Sequence, residues 1–135
     1  MSQSPCIVWF RRDLRLDDNP AFVAALERDG PVLPVYLYAP GEEGDWAPGG
    51  ASRWWLHHAL ISLQDALSER GLPLVVRRGP SLEELEALIE ETGAEAVLWN
   101  RRYEPVIIER DTHIKSTLKE RGITAWSGNA SLIWE

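Results

Sequence analysis

Five short apolar runs alternate along the chain with longer segments in which apolar residues recur every three or four positions. The runs are rich in Val, Ile and aromatic residues and contain few polar ones. This pattern predicts strands that are covered on both faces of a sheet. The predicted strands are residues 6–10, 32–38, 73–77, 96–99 and 123–126.

The intervening segments carry the start and stop signals of helices. Asn19 and Pro20 predict an N-cap and a first turn for a helix that ends near Gly30. Three further helices run from a Ser52 cap to Gly71, from a capping box at 81–84 to Gly93, and from Pro105 to Gly122. Their apolar stripes are Leu56, Leu60, Leu63 and Leu67; Leu82, Leu85 and Ile89; and Ile107, Ile114 and Leu118.

Strand–helix alternation with short links predicts an α/β fold with right-handed crossovers. We expect a doubly wound five-stranded parallel sheet of order 3-2-1-4-5 with helices on both faces, formed by one domain over residues 1–135. One link is long: residues 39–50 are rich in Gly and Pro and acidic, as in a functional loop or in a merely mobile surface loop.

Composition restricts the classes of function. The net charge of −7 makes direct DNA binding by this chain unfavourable, because phosphates need clustered Lys and Arg. The single cysteine, Cys6, excludes an internal disulfide and a zinc site built from several cysteines, and we expect it to be buried. There is no basic leader and no apolar run of about 20 residues, so we expect no membrane segment and a cytoplasmic, reduced setting.

The predicted topology places a ligand crevice at the carboxyl ends of the first and fourth strands, where the winding direction reverses. Arg11, Arg12 and Asp13 follow the first strand, and residues 100–104 follow the fourth. Asp13 and Asn100 are therefore candidate ligand contacts, and the alternatives for this charged stretch are solvated surface and a salt-bridge network that joins the loops. The remaining charges of this stretch are interpreted as structural: Arg15, Asp17 and Asp18.

Several familiar site signatures are absent from the sequence. It contains no GxGxxG, no GxxxxGK[ST] and no GxSxG pattern, and no convincing nucleophile–base pair. His57, His58 and His113 fall on predicted helices, the first two pointing apart, so we assign them no metal or base role.

Four stretches together resemble one family. "IVWFRRDLRLDDNPAF" (7–22), "GGASRWWLHHALISLQDAL" (49–67), "GLPLVVRRG" (71–79) and "WNRRYEP" with "ERD" (99–111) resemble, in order and spacing, the DNA photolyase/cryptochrome family. The resemblance covers essentially the whole chain. It implies the family's N-terminal α/β domain, which has a Rossmann-like fold.

The resemblance implies a function in light harvesting. In this family the domain binds an antenna chromophore, which is a deazaflavin, a folate or a flavin, or the crevice is empty. A C-terminal helical domain outside these residues binds FAD and damaged DNA and repairs pyrimidine dimers, so that domain is the expected partner. The full-length protein is then expected to be a lyase, and the isolated domain is expected to be inactive. No metal site is expected. Alternatives are a cryptochrome photoreceptor and a nucleotide-binding or purely structural module.

The resemblance also implies the antenna contacts, although some positions depart from the family pattern. Arg102 stands where deazaflavin-binding relatives have an acidic residue. Residues 41–52 lack the histidine of folate-binding relatives, and Val106 and Ile107 replace their polar pair. The identity of the antenna is therefore left open. The implied contacts are Asp13, Tyr36, Leu37, Tyr38, Arg53, Asn100, Arg102 and Glu104.

Seven tryptophans are many for 135 residues. Trp9, Trp99 and Trp126 lie in predicted strands and are expected in the core. Trp54 and Trp55 are neighbours on a helix, so at most one can face the core. Two more are candidates for a pocket wall or a domain interface: Trp46 and Trp134.

Overall fold

The structure is a computed structural model in which residues 5–11, 16, 19–28, 30–38, 50–101 and 105–128 are described, residues 50–53 and 106 by their backbone alone. Strands and helices alternate throughout this part of the chain, as predicted. The elements are β1 (Cys6–Phe10), α1 (Pro20–Leu26), β2 (Val32–Tyr38), α2 (Gly50–Ser68), β3 (Val75–Arg78), α3 (Ser81–Thr92), β4 (Ala96–Asn100), α4 (Pro105–Glu120) and β5 (Thr124–Gly128).

The five strands form one parallel sheet in the order β3-β2-β1-β4-β5. The central strand β1 is paired on both sides, so that Val8 lies between Pro34 of β2 and Leu98 of β4. Because parallel neighbours can be joined only by a crossover connection, a helix follows each strand except the last, and these helices cover both faces of the sheet. The predicted α/β class and strand order are confirmed.

Two apolar cores fill the space between the sheet and its helices, because successive strand residues point to opposite faces. The core under α1 and α2 is formed by Cys6, Val8, Phe10, Ala21, Phe22, Ala25, Leu63, Leu67, Ala96 and Leu98. The core under α3 and α4 includes Ile7, Trp9, Val35, Leu37, Leu85, Leu88, Val97, Trp99, Ile114 and Leu118. The predicted burial of Cys6 is confirmed, since its side chain has no solvent exposure.

Several helix boundaries agree with the predicted signals, but the predicted Ser52 cap is wrong, because α2 already begins at Gly50. The side-chain oxygen of Asn19 accepts a hydrogen bond from the Phe22 amide at 3.0 Å, which caps α1. Helix α3 ends at Gly93, whose φ of 75° lies in the left-handed region that favours glycine. Within the described residues, no helix combines the length and the apolar character needed to cross a membrane.

The predicted capping box at 81–84 is wrong. Helix α3 begins at Ser81 with Pro80 as its N-cap residue, and no side chain caps it. The Glu84 side chain instead lies over Gly79, and a Cβ added to Gly79 would be 2.8 Å from Oε2 of Glu84. The other carboxylate oxygen of Glu84 lies 3.8 Å from Nη1 of Arg77. The Glu84 carboxylate therefore lies beside Gly79 and Arg77 instead of forming a capping box with Ser81. Strand β3 begins at Val75, two residues after the predicted start at Pro73, which has no amide to donate to a neighbouring strand.

The prediction for Trp126 is also wrong. Trp9 and Trp99 are buried as expected, but Trp126 is 37% exposed because β5 is an edge strand. Trp54 and Trp55 are 66% and 54% exposed, so neither is in the core. The remaining two tryptophans, Trp46 and Trp134, lie outside the described residues.

Candidate functional site

The strand order creates a switch point between β1 and β4. These strands are hydrogen-bonded neighbours, but the helices that follow them, α1 and α4, pack on opposite faces of the sheet. The connections therefore separate at the carboxyl ends of the two strands, which is where doubly wound folds bind ligands. Arg11 and Asn100 stand at this edge, and both are buried.

Asn100 fastens β4 to the beginning of α1. Its Nδ2 group donates to Oδ1 of Asn19 at 2.7 Å, and its Oδ1 accepts from the amide of Ala21 at 3.0 Å. The Asn19 oxygen thus serves both the helix cap and the strand. A buried amide with these partners has a fixed orientation. The sequence-based assignment of Asn100 as a ligand contact stays a prediction, and the structure adds this positioning role.

Arg11 makes the corresponding connection on the other face. Its Nη1 group donates to both carboxylate oxygens of Asp111 in α4, each at 2.7 Å, and its Nη2 group donates to the Asn100 carbonyl at 2.5 Å. Asp111 also accepts from Arg110 Nη2 at 3.1 Å. Charge-assisted bonds of this kind are strong because both partners are largely removed from water. Arg11 therefore holds β1, β4 and α4 together.

Two indole rings lie beneath this ion pair. Trp9 and Trp99 meet edge to face, with ring centroids 5.4 Å apart. The guanidinium carbons of Arg11 and Arg110 lie 5.0 Å and 5.1 Å from the Trp9 centroid. Cation–π contact adds to the ionic attraction for both arginines. The α3–α4 side of the switch point is thus packed and preorganised.

Asp111, Arg110 and Asn19 are site-forming residues to which sequence reasoning gave no role in the crevice. One signal was available for Asp111. It falls on the same stripe of α4 as Ile107, Ile114 and Leu118, so a carboxylate occupies a position where the pattern expects an apolar side chain. A charge in such a stripe needs a buried partner.

The predicted antenna contacts divide by position. Tyr36 is half-buried and pairs in register with Phe10, so its side chain lies on the α1–α2 face, as does that of Asn100. Tyr38 is half-buried, with Arg78 5.6 Å from its ring centroid. Leu37 is packed in the opposite core, so its side chain does not face the side of Tyr36 and Asn100. The other predicted contacts lie outside the described side chains: Asp13, Arg53, Arg102 and Glu104.

The described part of the crevice is suited to binding a flat polar ligand. Tyr36 and Asn100 flank β1 on one face of the sheet, two strand spacings or about 10 Å apart. An aromatic ring and a fixed amide at that separation match a planar heterocycle with hydrogen-bonding edges. In the described residues, no three His, Cys, Asp or Glu side chains are grouped so that they could hold a metal ion.

These features define a doubly wound α/β protein with a preorganised polar network at its switch point, where such folds bind ligands. The model of the DNA photolyase family matches residues 6–135. The chain belongs to the DNA photolyase family.

Relatives with curated names include photolyases and cryptochromes. The chain is 44% identical over 135 residues to the deoxyribodipyrimidine photo-lyase of Agrobacterium fabrum, covering all of this chain and 28% of that protein. It is 43% identical over 130 residues to Cryptochrome-1 of Arabidopsis thaliana, covering 96% of this chain and 19% of the relative. The chain thus spans less than a third of the length of these relatives.

Solved structures support the same assignment. The bacterial class III photolyase of Agrobacterium tumefaciens superposes with a TM-score of 0.89 at 45% identity, over 96% of this chain and 26% of that one. The archaeal photolyase of Sulfolobus tokodaii, whose structure holds two FAD molecules, superposes with a TM-score of 0.76 at 28% identity, over 93% of this chain and 29% of that one. The fold is that of the photolyase N-terminal domain.

Proposed function

We propose that this chain is the light-harvesting, chromophore-binding domain of a deoxyribodipyrimidine photolyase. The observation that carries the proposal is the preorganised crevice at the switch point, in a chain 44% identical over its whole length to a photolyase. An aromatic ring and an oriented amide on one face of the sheet, Tyr36 and Asn100, are suited to holding a planar chromophore in one orientation. The proposed setting is the cytoplasm, where the single thiol of Cys6 stays reduced.

An antenna chromophore would absorb light and pass the excitation to FAD elsewhere in the full-length protein. Tyr36 and Asn100 would contact it on the α1–α2 face, and Asp13 and Arg53 are the proposed polar contacts from the neighbouring connections. Asn19 and Arg11 act indirectly, because their hydrogen bonds fix Asn100. A deazaflavin, a folate and a flavin all remain candidates.

Repair itself is proposed to belong to a second, helical domain that binds FAD and damaged DNA. This chain is expected to be inactive alone, because its net charge of −7 disfavours binding of the DNA substrate. The second domain would be its principal partner. A repair assay on the 135-residue chain, with lesion-containing oligonucleotide and light, should give no product above the unirradiated control.

The antenna assignment is tested by spectroscopy on the full-length protein as purified. A second near-ultraviolet or blue absorption band beside that of FAD, with an excitation spectrum that matches it, is the expected result. The 135-residue chain should then bind the released chromophore when deazaflavin, folate and flavin are titrated separately. If only the FAD spectrum appears and none of the three binds, the antenna assignment is wrong.

Variants locate the site once binding is measured. Asp13→Ala and Arg53→Ala should each weaken binding by about tenfold, the loss expected for one hydrogen bond to a charged group. Glu83→Ala, an exposed change on α3, is the control and should leave affinity unchanged. Equal affinity in all three variants would mean that the ligand binds elsewhere.

Two other functions are supported by specific observations. The 43% identity to Cryptochrome-1 favours a photoreceptor, and a repair assay on the full-length protein separates the two because only a photolyase should restore pyrimidine dimers. The engagement of Asn100 and Arg11 in binding α1 and α4 favours a structural domain with an empty crevice. The titrations above distinguish that case.

A further inference from the structure

A second polar cluster lies one strand away from the crevice, at the carboxyl ends of β4 and β5. The hydroxyl oxygen of Ser127 accepts from Lys115 Nζ at 3.1 Å and from Arg101 Nε at 3.3 Å. Lys119 follows Lys115 by one turn of α4. We refer to Arg101, Lys115, Lys119 and Ser127 as the β5 rim cluster.

The lysines of this cluster have no acidic partner in the described part of the chain. Every salt bridge found there that involves α4 uses Arg110 or Asp111, and Lys115 and Lys119 join none. They are also the only lysines in the sequence, which carries 21 acidic residues. Among the described residues, both lysines thus lie one helical turn apart and neither has a carboxylate partner.

The electrostatics of Lys115 reflect this arrangement. Partial burial lowers the pKa of its ammonium group, and the neighbouring charges of Lys119 and Arg101 lower it further. The protonated form is therefore disfavoured in the folded chain, and a bound anion would relieve both the repulsion and the desolvation.

The Ser127 hydroxyl is oriented by its two cationic donors. A hydroxyl oxygen has two lone pairs and one hydrogen. Lys115 and Arg101 occupy both lone pairs, so the hydrogen must point away from them and can only donate. The cluster therefore presents that O–H, together with the remaining ammonium hydrogens of Lys115, as donors without an acceptor of matching charge.

We propose that the β5 rim cluster is a binding site for the phosphate of a small phosphate monoester. A dianionic phosphate has enough acceptor oxygens to receive bonds from an ammonium, a guanidinium and a hydroxyl at once. Its charge matches that of the two lysines. The site lies on the α3–α4 face, where Ser127 follows the buried Ala125 by two residues, whereas Tyr36 and Asn100 lie on the opposite face. The proposal is thus independent of antenna binding.

Nucleic acid is a less suitable ligand for the same groups. Duplex binding at physiological salt generally rests on six to ten phosphate contacts, and this rim supplies about three. The chain's net charge of −7 would also repel a polyanion that extends beyond the rim.

The two lysines make the test direct. In the 135-residue chain carrying isotope-labelled lysine, the side chains give two NMR signals, which are assigned by Lys119→Met. Inorganic phosphate and then a nucleoside monophosphate are added at constant ionic strength. The Lys115 signal is expected to shift in a saturable manner, and the pKa of Lys115 is expected to rise on binding. A shift that is absent, or that grows linearly without saturation, overturns the proposal.

Variants separate a specific site from a general effect of charge. Lys115→Met and Ser127→Ala should each weaken phosphate binding by about tenfold, as for loss of one charge-assisted bond. Arg121→Gln is the matched control, because it removes one positive charge from just beyond α4, where the guanidinium pairs with Glu86 at 3.1 Å and Glu90 at 3.3 Å. If Arg121→Gln weakened phosphate binding as much as the other two variants, binding would depend only on overall charge, and the proposal would be contradicted.

Two further measurements complete the test. Because Ser127→Ala removes only an oxygen from a half-buried side chain, it is expected to fold, and its melting temperature is checked without ligand. A short single-stranded oligonucleotide is titrated beside the mononucleotide. Tighter binding of the oligonucleotide would make the rim a nucleic-acid surface and overturn the assignment to a small phosphate monoester.

Discussion

A single carboxylate, Asp111, neutralises a buried cation at the centre of this molecule. The Arg11 side chain is 3% exposed and the Asp111 side chain 14%, and both oxygens of the carboxylate accept from Arg11. Charges taken this far out of water are tolerated only when their partners are in place. The ion pair therefore makes the packing of β1, β4 and α4 sensitive to one substitution.

Asp111→Asn should lower the free energy of unfolding by about 3 kcal/mol, because it removes the negative charge that pairs with the buried Arg11 guanidinium at 2.7 Å. Urea unfolding followed by circular dichroism measures the loss. Glu91→Gln is the control, since the Arg77–Glu91 bridge at 2.7 Å is largely exposed and its loss should matter little. An equally small effect for both variants would contradict the structural role given to the Arg11–Asp111 ion pair.

Gly128 is required for a steric reason. A Cβ at this position would lie 2.6 Å from a ring carbon of Trp126 and 3.2 Å from the Pro20 side chain. Gly128→Ala should therefore destabilise the fold by about 1–3 kcal/mol through overpacking. Adding Trp126→Ala should recover most of the loss, and thermal unfolding of the two single variants and the double variant measures the coupling. Strict additivity would mean that the indole is not the obstacle.

Cys6 gives stability a specific dependence on pH. Burial raises the pKa of its thiol above the ordinary value of 9.0, and Arg28 offsets only part of this. In the unfolded chain the thiol ionises first, so above about pH 9 the unfolded state binds fewer protons than the folded state and stability falls. Cys6→Ala lacks this contribution, so its deficit relative to the wild-type chain should shrink from pH 8 to pH 10. A constant difference in urea midpoint would contradict the assignment.

At the scale of elements, helix α1 depends on a residue far away in the sequence. It has only seven residues, too few for a helix to be stable on its own. Asn100 supplies an acceptor for the Ala21 amide and a donor for the capping oxygen of Asn19. The helix is thus held in place from β4.

Asn100→Ala should increase hydrogen exchange at the Ala21 amide at least tenfold and destabilise the chain by about 1–3 kcal/mol, since the Ala21 amide loses this acceptor and the Asn19 oxygen loses one of its donors. Hydrogen exchange followed by NMR reads both effects. Thr92→Val is the comparison, because it removes a hydrogen bond to the Leu88 carbonyl at 2.7 Å in α3 and should leave Ala21 protected. Equal protection of the Ala21 amide in both variants would mean that the hydrogen bonds of Asn100 do not hold α1 in place.

The elements themselves were predictable because their signals are local. Apolar runs gave the strands, and Asn19 and Gly93 marked helix ends through hydrogen bonds that close within a turn. The errors occurred where a distant or competing partner decides. Glu84 lies over Gly79 rather than capping α3, and Trp126 is exposed because its strand has no outer neighbour.

At the scale of the whole molecule, the sequence predicted the strand order better than the contacts at the switch point. Short links and right-handed crossovers were sufficient for the strand order, and the ligand site inferred from that order stays a prediction. The Arg11–Asp111 pair joins residues 100 positions apart, and no periodicity reports such a contact. The candidate contacts Asp13 and Arg53 stay predictions.

Charge is a property of the whole molecule and predicts weak DNA binding by this chain. With a net charge of −7, the 135-residue chain should show no preference for duplex containing a pyrimidine dimer over undamaged duplex at about 0.15 M salt. Fluorescence anisotropy with both duplexes measures this, and the full-length protein is the positive control. Selective binding by the 135-residue chain would place lesion recognition here rather than in the proposed second domain.

The clamp between Arg11 and Asp111 also sets an order of events during synthesis. A chain emerging from the ribosome exposes Arg11 early, but its carboxylate partner follows 100 residues later. At translation rates of about 5–20 residues per second, that interval is roughly 5–20 s. Until then the guanidinium stays hydrated, and the edge between β1 and β4 stays open. The switch point is therefore among the last parts of these 135 residues to form, and a ribosome stalled before codon 111 should carry a chain whose Trp9 is still accessible to quenchers.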